Sequence, residues 1–507
     1  MENYKKKYKK YKKKYTIINQ IYDYIIVGGG SSGAVIAARL SEDENKKVLL
    51  IEAGPDFKPG KFPKELTDSS IIATNKYDWG YKTLPNKYGV SIDMPRAKCI
   101  GGCSSHNATA AIRGTRADFD NWNIKEWSFD DVLPYYKKLE NTPFGIDKWH
   151  GREGPLPIRH YNVSKLCKKF IETSVNSGFS HIEDFNNGKQ NGVGISSRNV
   201  IGNIRQNTGM TYLNDKVRER KNLIILDKTL VDKLVFDNCS DDKLHVSGVA
   251  LSNGVILYIK NDGEIILSGG TFGSPAILQR SGIGPKNKLK QIGIKTVIDL
   301  PIGEMLVDHP LYYDDYDIIH DIKKDDDNSE IGTLLWTKIL EEKNHNTLNI
   351  QIIAFSNDEK TFTVGIGLTQ PESIGNFIIK DTDPNSKPLI NPNYLYDDID
   401  IDKLTEGIKL SRRICQTDPI KNFVKLSDPV INLTIFDSFG HASSTVALGK
   451  CIDSECKIYG TDNLRVVDAS IFPKPLSTPL NLTCIMAGEK IADIIKNNKN
   501  NNKNKIK

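Results

Sequence analysis

Two spacings of apolar residues alternate early in the chain. DYIIVGGG is a continuous apolar run ending in glycines and predicts a buried strand. SSGAVIAARLSE has helical spacing, with Ser31 or Ser32 at its start. KVLLIEAG is a second apolar run, ending at Glu52, so residues 23–54 read as a β-α-β unit. Between 222 and 270 four strand-like segments follow: NLIILD, LVDKLVF, VSGVAL and EIILSGG. The last again runs into glycines, and Ser274 to Arg280 then predicts a helix. Trp122 to Glu140 predicts a turn feeding a helix. Residues 311–430 are acid-rich and poorly periodic, with DIKKDDDNSE an expected exposed loop. LRVVDAS predicts a late strand and TCIMAGEKIADIIK a late amphipathic helix. No internal repeat is present.

The glycines of the first unit carry chemistry. Gly28, Gly30 and Gly33 spell G-x-G-x-x-G between strand and helix. The first glycine suits a tight turn, the second lets backbone approach a pyrophosphate, and the third lets helix and strand pack closely. The helix start, with Ser32 beside it, offers free N–H groups to phosphate charge. Glu52 closes the next strand about 20 residues on, where a carboxylate can accept ribose hydroxyls. Strand, helix, second strand and acid agree on a dinucleotide site, and this motif by itself leaves FAD and NAD both open.

Composition changes the picture in three places. A chain of 507 residues, 38% hydrophobic and 26% charged, predicts a soluble globular protein of two joined domains. No apolar run is long enough to span a bilayer, and the N-terminus lacks the apolar stretch of a signal peptide. These features predict a cytoplasmic location. Much of the net charge of +6 sits in the head, MENYKKKYKKYKKKY, and the tail, KNNKNNNKNKIK. Both are predicted to be disordered, as residues 1–20 and 497–507, and their lysines could meet nucleic acid. The eight cysteines form no disulfide framework and no metal-ligand spacing, which predicts a reducing compartment and no metal.

Further motifs then narrow the choice. Residues 96–107 read RAKCIGGCSSHN, 269–284 GGTFGSPAILQRSGIG, 301–310 PIGEMLVDHP and 464–470 LRVVDAS. With the glycine fingerprint, and in this order, they resemble the glucose–methanol–choline (GMC) oxidoreductases over roughly residues 21–496. The resemblance implies an α/β (α+β overall) fold, with a Rossmann-like FAD domain and an interleaved β-sheet substrate domain. The FAD domain is expected at 21–160, 222–310 and 455–496, and the substrate domain at 161–221 and 311–454. The implied activity is oxidation of an alcohol CH–OH by hydride transfer to flavin N5.

By position, the resemblance implies that Arg96, Gly101, Gly102, Ser104, Asn107, Val231 and Asn481 contact FAD. Asp468 and Ala469 are expected beneath the pyrophosphate and flavin. GGCSSHN is especially similar to choline oxidase-like members, where the histidine matching His106 carries the flavin covalently. The implied catalytic base is His441 in FGHASSTVALG. Its unperturbed pKa of about 6.5 suits removal of an alcohol proton near neutrality. His309 in D-H-P and His150 in W-H-G are expected to be structural.

Three positions depart from the pattern. Pro479 stands where a histidine or asparagine partner of the base is usual. H-A-S-S-T replaces H-P-x-G-T after His441. Leu311 replaces the carboxylate that would face choline's cation, so a neutral alcohol is expected. The electron acceptor would be dioxygen or a quinone, and a homodimer is one arrangement the family allows. The alternative is a GMC scaffold with little or no activity. An excess of Asn, Lys, Ile and Asp fits an AT-rich genome such as a giant virus, where such a scaffold could serve the virion and touch DNA.

Overall fold

The computed structural model describes residues 20–237, 243–320, 331–340, 347–356 and 360–505. Its first sheet is built on Ile21–Val27, which is buried along nearly its whole length and has a strand on each edge. The order is Leu223–Leu226, Val48–Ile51, Ile21–Val27, Ile256–Leu267, Val246–Leu251, Val231–Phe236. Ile25 aligns in parallel with Leu49 on one side and Ile265 on the other. Parallel strands covered on both faces read as continuous apolar runs, which is how VLLI and YIIV stand in the sequence. Leu464–Val466, from near the C-terminus, joins the long strand Ile256–Leu267 in parallel. The helix Gly33–Leu40 packs against the final helix, Asn481–Lys505.

The second sheet runs Val424–Leu426, Pro310–Ile318, Thr361–Leu368, Ile350–Ser356, Ile331–Thr337, Gly192–Ile195, His181–Ile182. Helices Lys165–Asn176 and Asp398–Cys415 cover one face. Along Pro310–Ile318, Tyr312 and Tyr316 enter the core under those helices. The alternate residues Leu311, Tyr313 and Asp315 face a cavity between the sheets. The weak periodicity of 311–430 has two physical sources. Thr361–Leu368 is buried on both faces after its first residue, so it does not alternate. Asp314 occupies a buried position on the helix side, held by Arg412 at 2.9 and 2.8 Å.

Val446, Leu448, Cys451 and Ile452 pack in the core of the first sheet. The final helix continues to Lys505, although the sequence predicts disorder from 497. The Lys/Asn run there contains no proline or glycine to stop a helix. The N-terminal lysine run (residues 1–19) and the loop at 321–330 lie outside the described residues. Among the described residues no helix is long and apolar enough to cross a membrane.

Candidate active site

The glycine fingerprint forms one wall of the cavity. Gly28 has φ +100°, a turn that a side chain would strain. A Cβ on Gly33 would lie 1.9 Å from the Gly28 carbonyl oxygen, so only glycine permits this helix–strand approach. Gly30 differs: a Cβ there meets only the Gly102 Cα, at 3.7 Å. Its exposed side is therefore space for a ligand rather than for protein. Glu52 accepts hydrogen bonds from Gly29 N and Gly54 N, both at 2.8 Å. Burial raises its carboxyl pKa, and the two amides and Lys98 oppose the rise. Ser32 stands at the helix N-cap, but its hydroxyl donates to the Cys484 carbonyl at 2.8 Å. Ser31 donates to Asn481 Oδ1, also at 2.8 Å. The serines thus tie the fingerprint to the last helix and leave the helix N-terminus uncapped by side chain.

The motif at 96–107 crosses the same cavity. Gly102, Cys103, His106 and Asn107 line it, together with Arg96. Gly101 and Ser104, expected to contact flavin, do not line the cavity. Ser104 is buried behind the wall, where Oγ donates to Gly101 O at 2.6 Å and accepts from Thr208 N at 3.1 Å. Gly101 has φ +89°, and a Cβ there would meet Ser105 Oγ at 2.3 Å. Their role is to hold the turn that presents their neighbours. Asn107 Oδ1 accepts from Thr109 N at 3.0 Å.

On the opposite side, Asp468 organises the second glycine-rich turn. One oxygen accepts from Gly270 N (2.8 Å) and Ser274 Oγ (2.6 Å), the other from Ser470 N (2.9 Å). Burial raises its pKa, and these donors oppose the rise. Ala469 and Val231 complete this part of the lining.

The cavity measures about 1030 Å³ and spans all these groups. That is the upper end of the ~300–1,000 Å³ usual for ligand pockets. Among the described residues, the buried polar atoms of the lining that have no partner include Asn481 Nδ2, His106 Nδ1 and Arg96 Nη2. Gly270 and Gly273 also line it, and a Cβ on either would meet nothing within 4 Å. Orphaned polar groups beside glycine-floored space are what a flavin dinucleotide would satisfy and fill. The residues present fit that group.

His441 lies in the cavity wall, beyond the glycine loops. Burial, His309 and Arg96 together push its pKa well below 6.5, so the ring is neutral at pH 7. Its Nδ1 lies 3.0 Å from His309 Nδ1, with the rings at 83°. Phe439 stacks on His441 at 4.8 Å and 13°. The Phe439 ring in turn rests on Gly367, where a Cβ would be 2.3 Å from it. The expectation that His309 is only structural missed this contact, as it missed Phe439. The signals were faint: adjacency of D-H-P to the substrate sheet, and an aromatic two residues before His441. Pro479 does line the cavity, and Leu311 pairs with Asp437 on the neighbouring strand. Tyr313, Ile353, Phe355 and Phe439 add an aromatic and aliphatic surface on this side.

His150 lies elsewhere. Its Nδ1 is 3.0 Å from Glu140 and its Nε2 2.8 Å from Asp184, and Arg113 bonds Glu140 at 2.6 Å.

Comparison with known proteins agrees with this architecture. The GMC oxidoreductase N-terminal model matches residues 22–311 and the C-terminal model residues 371–488. A protein of Pseudomonas putida named oxygen-dependent choline dehydrogenase is 31% identical over 95% of this chain and 95% of its own. The protein of that name from Paraburkholderia xenovorans is 30% identical over 94% of both chains. Pyridoxine 4-oxidase from Mesorbium loti superposes with a TM-score of 0.85 at 28% identity, covering 93% of this chain and 98% of that one. With a dinucleotide cradle, a half-buried histidine in the same cavity wall and matches to both family models, the chain belongs to the GMC oxidoreductases, a family of FAD-dependent enzymes acting on alcohols.

Proposed function

We propose that this chain oxidises the CH–OH group of a neutral alcohol, with His441 as the proton acceptor. The observation that carries the proposal is a neutral, half-buried imidazole in the wall of the cavity that the flavin cradle opens into. FAD, when bound, supplies the hydride-accepting N5. Gly28, Gly30, Ser32, Glu52, Gly102, Asn107, Val231, Asp468, Ala469 and Asn481 would hold it, with Arg96 and His106 beside its ring. His441 takes the hydroxyl proton as the C–H bond breaks, so negative charge on oxygen assists departure of the hydride. The apolar walls exclude water, which strengthens this interaction.

The substrate reading rests on Leu311. A quaternary amine needs a countercharge near its cation, and an aliphatic side chain offers none. The relatives' names couple their reaction to oxygen, so dioxygen is the proposed acceptor here. The sequence alternative of an inactive scaffold leaned on Pro479, and His309 supplies the base with another hydrogen-bond partner.

The test is reduction of bound flavin by a panel of primary alcohols without oxygen. Bleaching that recovers in air is expected. His441→Ala should keep its flavin and lose about 10²–10⁴-fold in reduction rate. Flavin that no alcohol bleaches, or a wild-type rate in His441→Ala, would overturn the proposal.

A further inference from the structure

We propose that Asp308 and His309 are positioning residues that fix His441 as its Nδ1–H tautomer, leaving the Nε2 lone pair free to take the alcohol proton. This rests on the reading of His441 as the base.

The argument begins with backbone. One oxygen of Asp308 accepts from both His309 N and His441 N, each at 2.8 Å. The other oxygen accepts from Tyr394 Oη and Ser438 Oγ, each at 2.5 Å. Two histidines 132 residues apart in sequence therefore hang from one carboxylate. Phe439 then covers one face of the His441 ring and fixes its plane.

The tautomer follows from hydrogen-bond bookkeeping. A nitrogen–nitrogen contact of 3.0 Å needs one proton between the rings. His309 also makes a hydrogen bond to the Leu476 backbone that favours its protonated form, so the carbonyl is the acceptor. With Nδ1 facing His441, the donor to Leu476 is Nε2. Burial holds the His309 pKa down at about 4, so at neutral pH that ring carries a single proton. Its Nδ1 must then accept, and His441 Nδ1 must donate. The opposite arrangement would set the His309 Nε2 lone pair against a carbonyl lone pair in a buried site. The bond made by one ring nitrogen decides the protonation of the other, so His441 Nε2 is bare.

The chemistry balances simply. The substrate O–H bond breaks, its proton forms an N–H bond at His441 Nε2, and the resulting imidazolium keeps its Nδ1–H bond to His309. Charge assistance strengthens that bond as the positive charge appears. The charged groups facing the pair are Asp308, which favours the cation, and Arg96, which opposes it.

The test uses the full-length holoenzyme. In [¹⁵N]histidine-labelled protein, the His441 resonances, assigned by difference against His441→Gln, should show a bare Nε2 and a protonated Nδ1. A protonated Nε2 in the wild type would overturn the proposal without any variant at 309. His309→Ala should slow anaerobic flavin reduction by about tenfold or more and move the acid limb of its pH profile upward. The upward shift follows because water entering the space relieves the burial of His441. His309→Asn, whose amide oxygen can accept from Nδ1–H, should recover part of the rate, and the flavin spectrum reports folding in each variant. Wild-type rate and pH profile in His309→Ala, with His441→Ala inactive, would sink this inference and leave the base intact. A wild-type rate in His441→Ala would sink the base and this inference with it.

Discussion

Replacing His150 with alanine should cost several kcal/mol of stability while leaving the chemistry of folded molecules unchanged. His150 is 2% exposed and bridges Glu140 and Asp184 through both ring nitrogens. Bonding two carboxylates that way requires both nitrogens protonated, so the ring is an imidazolium. Burial works against the charge, but the bonds to Asp184 and Glu140 outweigh it and lift the pKa above 6.5. With Arg113 beside Glu140, two cations balance two anions in a dry site. Alanine leaves two buried carboxylates facing one guanidinium. Breaking a buried pair this way costs about 3–5 kcal/mol, against a total of only 5–15 for an ordinary domain.

The pH dependence has a definite sign. A raised histidine pKa contributes fully below its unfolded value, about 6.5, and the contribution fades as pH rises through the folded value. Glu140 and Asp184 are shifted down on balance, burial opposing their bonds to His150, so their contribution fades as acid protonates them. The network is therefore strongest between about pH 4.5 and 6.5. Urea unfolding followed by tryptophan fluorescence across pH 5–9 should show an alkaline decline in wild type that is missing in His150→Ala. A variant within about 1 kcal/mol of wild type, with the same slope, would refute the imidazolium assignment.

Other expectations concern the cofactor cradle and substrate wall. Gly30→Ala should fold with stability within about 1 kcal/mol of wild type yet purify without flavin, because its Cβ enters ligand space. Gly33→Ala should fail to fold, and full flavin content in either variant would contradict the placement. His106 is buried, and burial, with Arg96 and Arg205, holds its pKa down to about 3, so the ring is a neutral nucleophile with Nδ1 unpartnered. Yellow colour should therefore stay with acid-precipitated protein and disappear from the pellet in His106→Ala; complete release of FAD from matured wild type would exclude a covalent link. Leu311→Glu should raise kcat/KM for choline over a neutral alcohol of equal size by about tenfold, equivalent to ~1.4 kcal/mol. Wild-type preference for choline would show that Asp315 or Asp437, on the same wall, already provides the countercharge.

What the sequence revealed depended on how local each constraint is. Gly33 is demanded by the carbonyl of nearby Gly28, Gly28 by its own positive φ, and Glu52 by a strand end, so they were legible as a pattern. His441 and Asp468 were reached through resemblance, since nothing in their immediate neighbours marks them. Gly101 and Ser104 lie behind the cavity wall: a motif shows which residues build a turn, not which of them face the cavity. The partnership of His309 with His441 crosses 132 residues and depends on a shared carboxylate, which no local spacing encodes. The strands of the second sheet were hidden by two-faced burial and by Asp314, whose partner Arg412 lies 98 residues away.

The bonds from Ser31 to Asn481 and from Ser32 to Cys484 span 450 and 452 residues. The cofactor cradle begins at the fingerprint but lacks its far wall until the helix that starts at Asn481 is made. A nascent chain released before Cys484 has the fingerprint without the helix that its serines hold. Cofactor loading is therefore expected to wait for that helix. Long-range closure of this kind is slow and leaves partly built sheets exposed meanwhile. A set of stalled chains of increasing length should acquire flavin fluorescence quenching only when the last helix has cleared the exit tunnel, making closure by that helix the step that commits this protein to its cofactor.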